Sequence, residues 1–462
     1  MPQRTSTPPQ GDTTSQGASP KGAIFLSGNL FRHVSVMSLT SAVGLMLIFL
    51  VDFINIIFIS MLRDADLTAA IGYAGAVLFF TLAFGIGMAI AASALVSRAV
   101  GMGDLAQARA KATAVLWCGI AFGSIFAGAM WVNLPFLVGL LGASGRTLEQ
   151  AVHYLRIVLP TLPLLMVGMI GGAILRSHGD ARRAMMATIY GGVVNAVLDP
   201  VLIFGLGLDL TGAAIATLIA RLVIAATALL PIIRHYGGFD RPNMQVLTQD
   251  LGPILAIAGP AIVTQLATPV GQAYVTRVIS TYGEEAVAGV AIVGRMTPVA
   301  FGIIFAMSGA VGPIIGQNFG AGRFQRVLAG FRAGLWFTAL VIITVSALLY
   351  VFRSPIADLV HAQGLTRQII YLFCGPLSLL FFFNGILFVS SAAFNTLGQP
   401  LNATWTNWGR HTLGTIPFAL LGGMYWGAQG VLLGQALGGV VFGLLGWALA
   451  ERMIGKLIAR AN

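Results

Sequence analysis

Charge is scarce in this chain of 462 residues, and acid is scarcer than base. Fifteen Asp and Glu face twenty-six Lys and Arg, and charged residues make up 9% of the whole, against about 25% in a soluble domain. With 57% hydrophobic residues, the chain has too little polar material to cover a soluble surface. Cysteine is nearly absent too. Cys118 and Cys374 both sit inside apolar stretches, which excludes a disulfide framework and any cysteine metal site. No Walker motif occurs, so ATP does not drive the protein directly. No His-Glu-x-x-His element and no Ser/Lys arrangement at matched depth is present, which argues against an intramembrane enzyme. Residues 1–30 have no apolar core of the signal-peptide kind; rich in Ser, Thr, Pro, Gln and Gly, they read as a disordered tail.

What is abundant is uninterrupted apolar sequence. Stretches longer than about 18 residues recur throughout, each long enough to span a bilayer as a helix. Twelve spans are predicted, near 34–62, 67–97, 112–133, 152–175, 184–206, 211–234, 251–280, 286–316, 327–352, 367–394, 403–424 and 427–450. The net charge of +11 does not mark a nucleic-acid binder, because the basic residues lie in short loops on alternate sides. Seventeen of the twenty-six fall on the side holding both termini and four on the other (Arg63, Arg146, Arg353, Arg367). That asymmetry predicts cytoplasmic termini. Five more, Arg156, Arg221, Arg277, Arg295 and Arg410, fall within spans or near their ends.

The two halves of the chain are related. Val100-Gly101-Met102-Gly103-Asp104 aligns with Phe319-Gly320-Ala321-Gly322-Arg323, and the same offset of 219 residues carries His178-Gly179-Asp180 onto Leu397-Gly398-Gln399. Six spans per repeat make the repeat parallel. The expected organisation is therefore an all-α integral membrane protein of two pseudo-symmetric six-helix lobes around a central cleft. The N-lobe covers 31–234, a cytoplasmic linker 235–250 and the C-lobe 251–462. This is a transporter architecture, in which rocking of the lobes gives alternating access.

Two carboxylates stand out against this background. Asp52 and Asp199 are the acids placed deep inside apolar stretches, where a carboxylate costs about 2.5–3.5 kcal/mol on insertion scales. Asp52 precedes Arg63 by eleven residues and Asp199 precedes Asp209 by ten, so both lie roughly 15 Å from the same boundary. Thr217 is at comparable depth, Asn195 is one turn from Asp199 on the same face, and Asn55 is three residues from Asp52. Pro200 denies its helix one hydrogen bond and can bend it beside the pair. Carboxylates, an amide and a hydroxyl at one depth can hold a proton or a Na⁺, and two carboxyl groups close together do not both ionise readily. Arg221, one turn from Thr217, needs a partner: an acid in the cleft, or the headgroups by snorkelling. Arg295 could meet an anionic substrate group or lipid, or bond carbonyls.

The run Arg176-Ser177-His178-Gly179-Asp180, followed by Asn195-Ala196-Val197-Leu198-Asp199-Pro200 and Gly212-Ala213-Ala214-Ile215-Ala216-Thr217, resembles the multidrug and toxic compound extrusion (MATE) family. Gly316-Gln317-Asn318-Phe319-Gly320-Ala321-Gly322 resembles that family's second-lobe loop. Within the family the DinF-like branch is the most similar. Its first-helix acid matches Asp52, its fifth-helix pair Asn195 and Asp199, its sixth-helix threonine Thr217 and its fourth-helix tyrosine Tyr154. No acid lies inside spans seven to twelve: the repeat partner of Asp52 is Gly271 and that of Asp199 is Phe418. The resemblance implies a monomeric secondary antiporter in a bacterial inner membrane, exporting small amphipathic or cationic compounds. It implies no cofactor beyond the coupling ion and no nucleic-acid partner, with membrane lipids in contact. H⁺ is the expected ion, since Arg221 nearby disfavours a second fixed cation, with Na⁺ at Asp52, Asn195, Asp199 and Thr217 the alternative. A lipid-linked precursor flippase, with Arg221 and Arg295 on a pyrophosphate, is the other reading weighed.

Overall fold

Apolar sequence in hydrocarbon must satisfy its backbone within each segment, and the described secondary structure is entirely helical. The computed structural model describes residues 22–461 except 63, 242 and 243; the side chains at 52, 53, 56, 57, 60, 65 and 244–246 lie outside that description. In the first half the helices are α1 (Leu30–Met61), α2 (Ala65–Met102), α3 (Leu105–Val132), α4 (Leu134–Leu140), α5 (Gly145–Val158), α6 (Leu162–Ser177), α7 (Ala181–Pro200) and α8 (Asp209–His235). In the second they are α9 (Met244–Ile279), α10 (Glu284–Gly320), α11 (Phe324–Val351), α12 (Arg353–Leu359), α13 (Gly364–Leu372), α14 (Ser378–Thr396), α15 (Pro400–His411) and α16 (Ile416–Ala461). The 219-residue offset recurs in the helix boundaries: α3 maps onto α11 and the short α4 onto α12.

Eleven stretches are long and apolar enough to cross a membrane, the last of them Pro400–Ala461 with 62 residues. At 1.5 Å per residue that length is about three times a bilayer's ~30 Å core, and it divides in two. Trp426 (φ −131°) and Gly427 (φ +58°) leave helical geometry, and the chain reverses there. Gly422 then lies against Gly430, Gly434 against the Phe418 carbonyl and Gly438 against Gly414, so closely that a methyl group would collide with backbone at each. α15 with the start of α16 forms span eleven and the remainder forms span twelve. Other spans are broken as well. α5 and α6 join through a 3₁₀ turn, Leu159–Thr161, and α13 and α14 through a π turn, Phe373–Leu377.

Several of the acids at segment ends act as helix caps. Asp64 accepts from the Asp66 and Leu67 amides at the start of α2, Asp104 from the Gln107 amide before α3, and Asp180 from the Arg183 amide before α7. Each such cap is worth about 1 kcal/mol. They have little choice of position, because an acid between spans can be solvated and one within a span cannot.

Buried apolar residues fall into four clusters. Two stay within a lobe: Ile59, Leu67, Leu155 and Ile203 belong to the first half, and Val275, Ile279, Val290 and Ile369 to the second. The other two cross between lobes, with Ile254 and Ile257 of α9 joining first-half residues and Val34 and Met37 of α1 joining second-half ones. Interlobe hydrogen bonds follow the same division. Arg98 donates to the Thr396 carbonyl (2.6 Å) and stacks on Phe319, and Gln317 Nε2 donates to the Ser177 carbonyl (2.8 Å). At Gly101 and Gly320 the backbones of α2 and α10 touch, leaving no room for a Cβ. The described interlobe hydrogen bonds thus gather at the arginine-rich ends, while the two clusters at the opposite ends each stay within one lobe.

The last residues of the expected disordered tail are ordered. Ile24–Leu26 form a 3₁₀ turn with Phe25 and Leu26 about 1–2% exposed. Phe25 donates its N–H to Gln317 Oε1 and its carbonyl accepts from Asn318 and Arg326. Its ring meets His33 edge-on. Arg323 donates to the Leu26 carbonyl (2.7 Å), so two apolar side chains and four second-half polar groups offset the ordering of this short stretch. The expected linker 235–250 is also shorter, because α9 begins at Met244.

Candidate functional site

α7 supplies the core of the site. Asn195 and Asp199 are one turn apart and both buried, Asp199 to 1% exposure. Asn195 Nδ2 donates to Asp199 Oδ2 at 2.6 Å. Asn55 of α1 completes the group. With its amide nitrogen turned toward Asp199 Oδ2, its oxygen accepts from Asn195 Nδ2 at 3.0 Å and its nitrogen also reaches the Val51 carbonyl at 3.3 Å. Two amides therefore hold one carboxylate oxygen. The other, Asp199 Oδ1, is buried with no hydrogen-bond partner among the described residues. A carboxylate fixed on one side and bare on the other can take up a proton or contribute to a cation's shell.

Pro200, directly after Asp199, ends α7, and the chain continues as a π turn over Val201–Gly205. A proline has no N–H to give, so the widened turn follows from its presence. The break lies beside the carboxylate, as the sequence predicts.

The remaining expected site residues divide. Asp52 lies in α1, one turn before Asn55, and its side chain is outside the described residues. α7 and α8 run side by side with Gly191 against Ala220 and Gly212 against Leu202, which sets Thr217 level with Asn195 and Asp199. The Thr217 hydroxyl nevertheless bonds its own helix, at the Ala213 carbonyl (2.9 Å). Tyr154 near the end of α5 is an electrostatic neighbour of Arg221. Arg295 is exposed on α10, with no hydrogen bond or ion pair among the described residues.

Arg221 corrects the sequence reading. Among the described residues it pairs with no acid, and it does not reach for headgroups. Its Nη1 donates to the Val158 carbonyl (3.2 Å) and to Thr161 Oγ1 (2.7 Å), at the 3₁₀ break between α5 and α6. A broken helix leaves carbonyls unsatisfied in hydrocarbon, and the guanidinium supplies their donors. So placed inside the first lobe, Arg221 cannot serve a pyrophosphate in the cleft, and it gives no reason to prefer H⁺ over Na⁺.

Outside the spans, a second polar group sits at the arginine-rich end. The His178 ring packs tilted against Tyr236, centroids 4.4 Å apart, and the Tyr236 hydroxyl donates to Asp180 Oδ2 at 2.9 Å, which also accepts from Arg183 (2.7 Å). Burial holds the His178 imidazole below its usual value. Burial and then the bond to Asp180 push the Tyr236 phenol up to about 12. Sequence reasoning noted His178 and Asp180 only as part of a motif and Arg410 only as a basic residue within a span, and passed over Tyr236, His411 and Asn384. For the second-half residues, the one available signal is a charged residue inside a span, adjacent to a histidine.

Comparison with known proteins agrees with this architecture. The MatE family model matches residues 41–201 and 260–421, two segments at the repeat spacing. The chain is 30% identical over 450 residues to a protein named FAD transporter from Shewanella oneidensis, covering 93% of this chain and 96% of that one. It is 25% identical over 394 residues to the multidrug export protein MepA of Staphylococcus aureus, covering 82% and 84%. The fold is like that of a mutant Vibrio cholerae MATE transporter, VcmN, with TM-score 0.88, 24% identity and coverage of 94% and 98%.

Proposed function

The chain belongs to the MatE family, and from that premise we propose that it exports small amphipathic solutes in exchange for an inward-moving cation, coupled at Asp199. It is a multi-pass membrane transporter and not an enzyme. The observation that carries the coupling assignment is the state of Asp199: buried, held at Oδ2 by Asn195 and Asn55, and bare at Oδ1. Asp52, one helical turn from Asn55, is the second carboxylate of the site. H⁺ is the coupling ion in this reading and Na⁺ the alternative, since the same oxygens suit both. Alternating access follows if the fused arginine-rich ends part as the opposite ends close. The arginine asymmetry supports a cytoplasmic position for those ends, in a bacterial inner membrane.

Two relatives bear on substrate. MepA is named as a multidrug exporter, which supports amphipathic cations; the Shewanella protein is named for FAD, a dianionic aromatic solute, and is the more similar of the two. A nucleotide-type solute is therefore the second reading. The test is transport in proteoliposomes with a pH gradient or a Na⁺ gradient imposed separately. Wild type should export ethidium or a flavin uphill under the pH gradient, and Asp199→Asn and Asp52→Asn should fold but lose the gradient's effect. Uphill export retained by Asp199→Asn would sink the coupling assignment.

A further inference from the structure

The second lobe has its own buried polar cluster, of opposite sign. Arg410 and His411 end α15, and Asn384 faces them from α14. Arg410 Nη1 donates to Asn384 Oδ1 and its Nη2 meets His411 Nε2. An arginine has only donors to offer, so His411 Nε2 is the acceptor and the ring proton resides on Nδ1. That Nδ1 is buried without a partner among the described residues, and so is Arg410 Nε. Two N–H donors and one full positive charge thus lack an acceptor.

No carboxylate of the second half supplies one. Asp250 is held by Lys111, Glu285 by the Leu365 amide, Asp358 by Arg367 and Glu451 by Arg332; Glu284 lies in the first turn of α10. Arg410 is ten residues into α15, roughly 15 Å from its start, which is mid-bilayer and beyond a lipid headgroup's reach. Charged groups at such depth ordinarily pair with an opposite charge or mark a substrate path.

The repeat sharpens the point. At the 219-residue offset Arg410 and His411 correspond to Gly191 and Gly192, while Asn195 and Asp199 correspond to Gly414 and Phe418. The second lobe has given up the acid and acquired a guanidinium and an imidazole at neighbouring positions. Gly271, the counterpart of Asp52, lies against the His411 ring so closely that any side chain there would collide with it. The two lobes therefore present opposite charges.

We propose that Arg410, with His411 and Asn384, binds an oxyanion of the transported solute, a carboxylate or phosphate. The planar guanidinium fork matches such a group. This deepens the export reading by naming a substrate class: amphipathic solutes that carry an anionic group.

The test compares riboflavin with riboflavin 5′-phosphate, fluorescent ligands that differ by one phosphate, in equilibrium binding to the full-length protein in nanodiscs. Wild type should bind the phosphate ester at least tenfold more tightly. Arg410→Gln should bring the two within about twofold, Arg410→Lys should retain part of the difference, and Asp199→Asn should retain all of it. A monodisperse elution profile and a thermal unfolding temperature close to that of wild type confirm that the Arg410 variants are folded. Equal binding of the two ligands by wild type, or an undiminished preference in Arg410→Gln, overturns the proposal. A preference abolished by one-third anionic lipid in the nanodisc, or by chloride in place of gluconate, overturns it by identifying the oxyanion's competitor as the occupant. Binding needs no ion gradient. Intact phosphate preference without gradient-driven transport would therefore overturn only the coupling assignment.

Discussion

Replacing Gly101 with alanine should drive the lobes apart where they are fused. A Cβ at 101 would strike the Gln317 carbonyl, carbon and Cα, all backbone atoms of α10, so no side chain can turn aside to admit it. Moving α10 locally would also disturb the Gln317 amide, which holds the Phe25 N–H at 3.0 Å and the Ser177 carbonyl at 2.8 Å. Overpacking of this kind costs about 1–3 kcal/mol. Because the clash lies between lobes rather than within one, rigid-body opening relieves it without unfolding. The equilibrium should then shift roughly 5–150-fold toward the state open at the arginine-rich ends. Cys118 and Cys374 are buried and unpaired and can be replaced by alanine to give a background for Ser177→Cys, a fully buried position at the seam. Maleimide labelling of that cysteine should accelerate in Gly101→Ala. It should not do so in Gly128→Ala, where a methyl meets nothing within 4 Å. A labelling rate unchanged by Gly101→Ala in a folded protein, or wholesale unfolding in its place, would refute the reasoning.

Two further outcomes follow from the side-chain chemistry. Arg221→Met should cost roughly 1.5–3 kcal/mol of stability for each bond lost to the charged group, seen as a lower unfolding temperature, with the identity of the coupling ion unchanged; a changed ion dependence at undiminished stability would contradict the structural role. His178 is held by burial below its ordinary value of 6.5, so the unfolded chain binds that proton more readily than the folded one. Stability should therefore fall as pH drops below about 6.5, and His178→Gln should flatten that acid slope in thermal unfolding between pH 7.5 and 5.5.

The spans were legible because hydrocarbon demands long apolar helices, and the repeat because loop glycines recur at one spacing. The pairing of Asn195 with Asp199 was legible for a local reason: residues four apart share a helix face. Asn55 was a candidate only through Asp52, yet it is the residue that reaches Asp199 from α1. Thr217 was placed at the right depth, but sequence does not show that its hydroxyl satisfies its own helix. Arg221 was misread because the carbonyls it serves exist only where α5 gives way to α6, a break that composition does not announce. Arg410 and His411 gave a local signal, but their isolation from every described carboxylate is a property of packing. The ordered stretch around Phe25 was hidden by its company, since a few apolar residues at the end of a polar tail look unremarkable until their partners in α10 are known.

The glycine contacts between the two arms of α16 carry a mechanical consequence. Where Gly422, Gly430, Gly434 and Gly438 bring backbone onto backbone, no side chain lies between the arms to act as a bearing, so the arms cannot slide past one another. Spans eleven and twelve then move as one plate. The turn at 412–415 joins α15 to that plate and begins at the residue after His411. Gly414 within that turn is itself pressed against Gly438, so the guanidinium and imidazole ride with the plate, and the second lobe's cation moves only when the plate does.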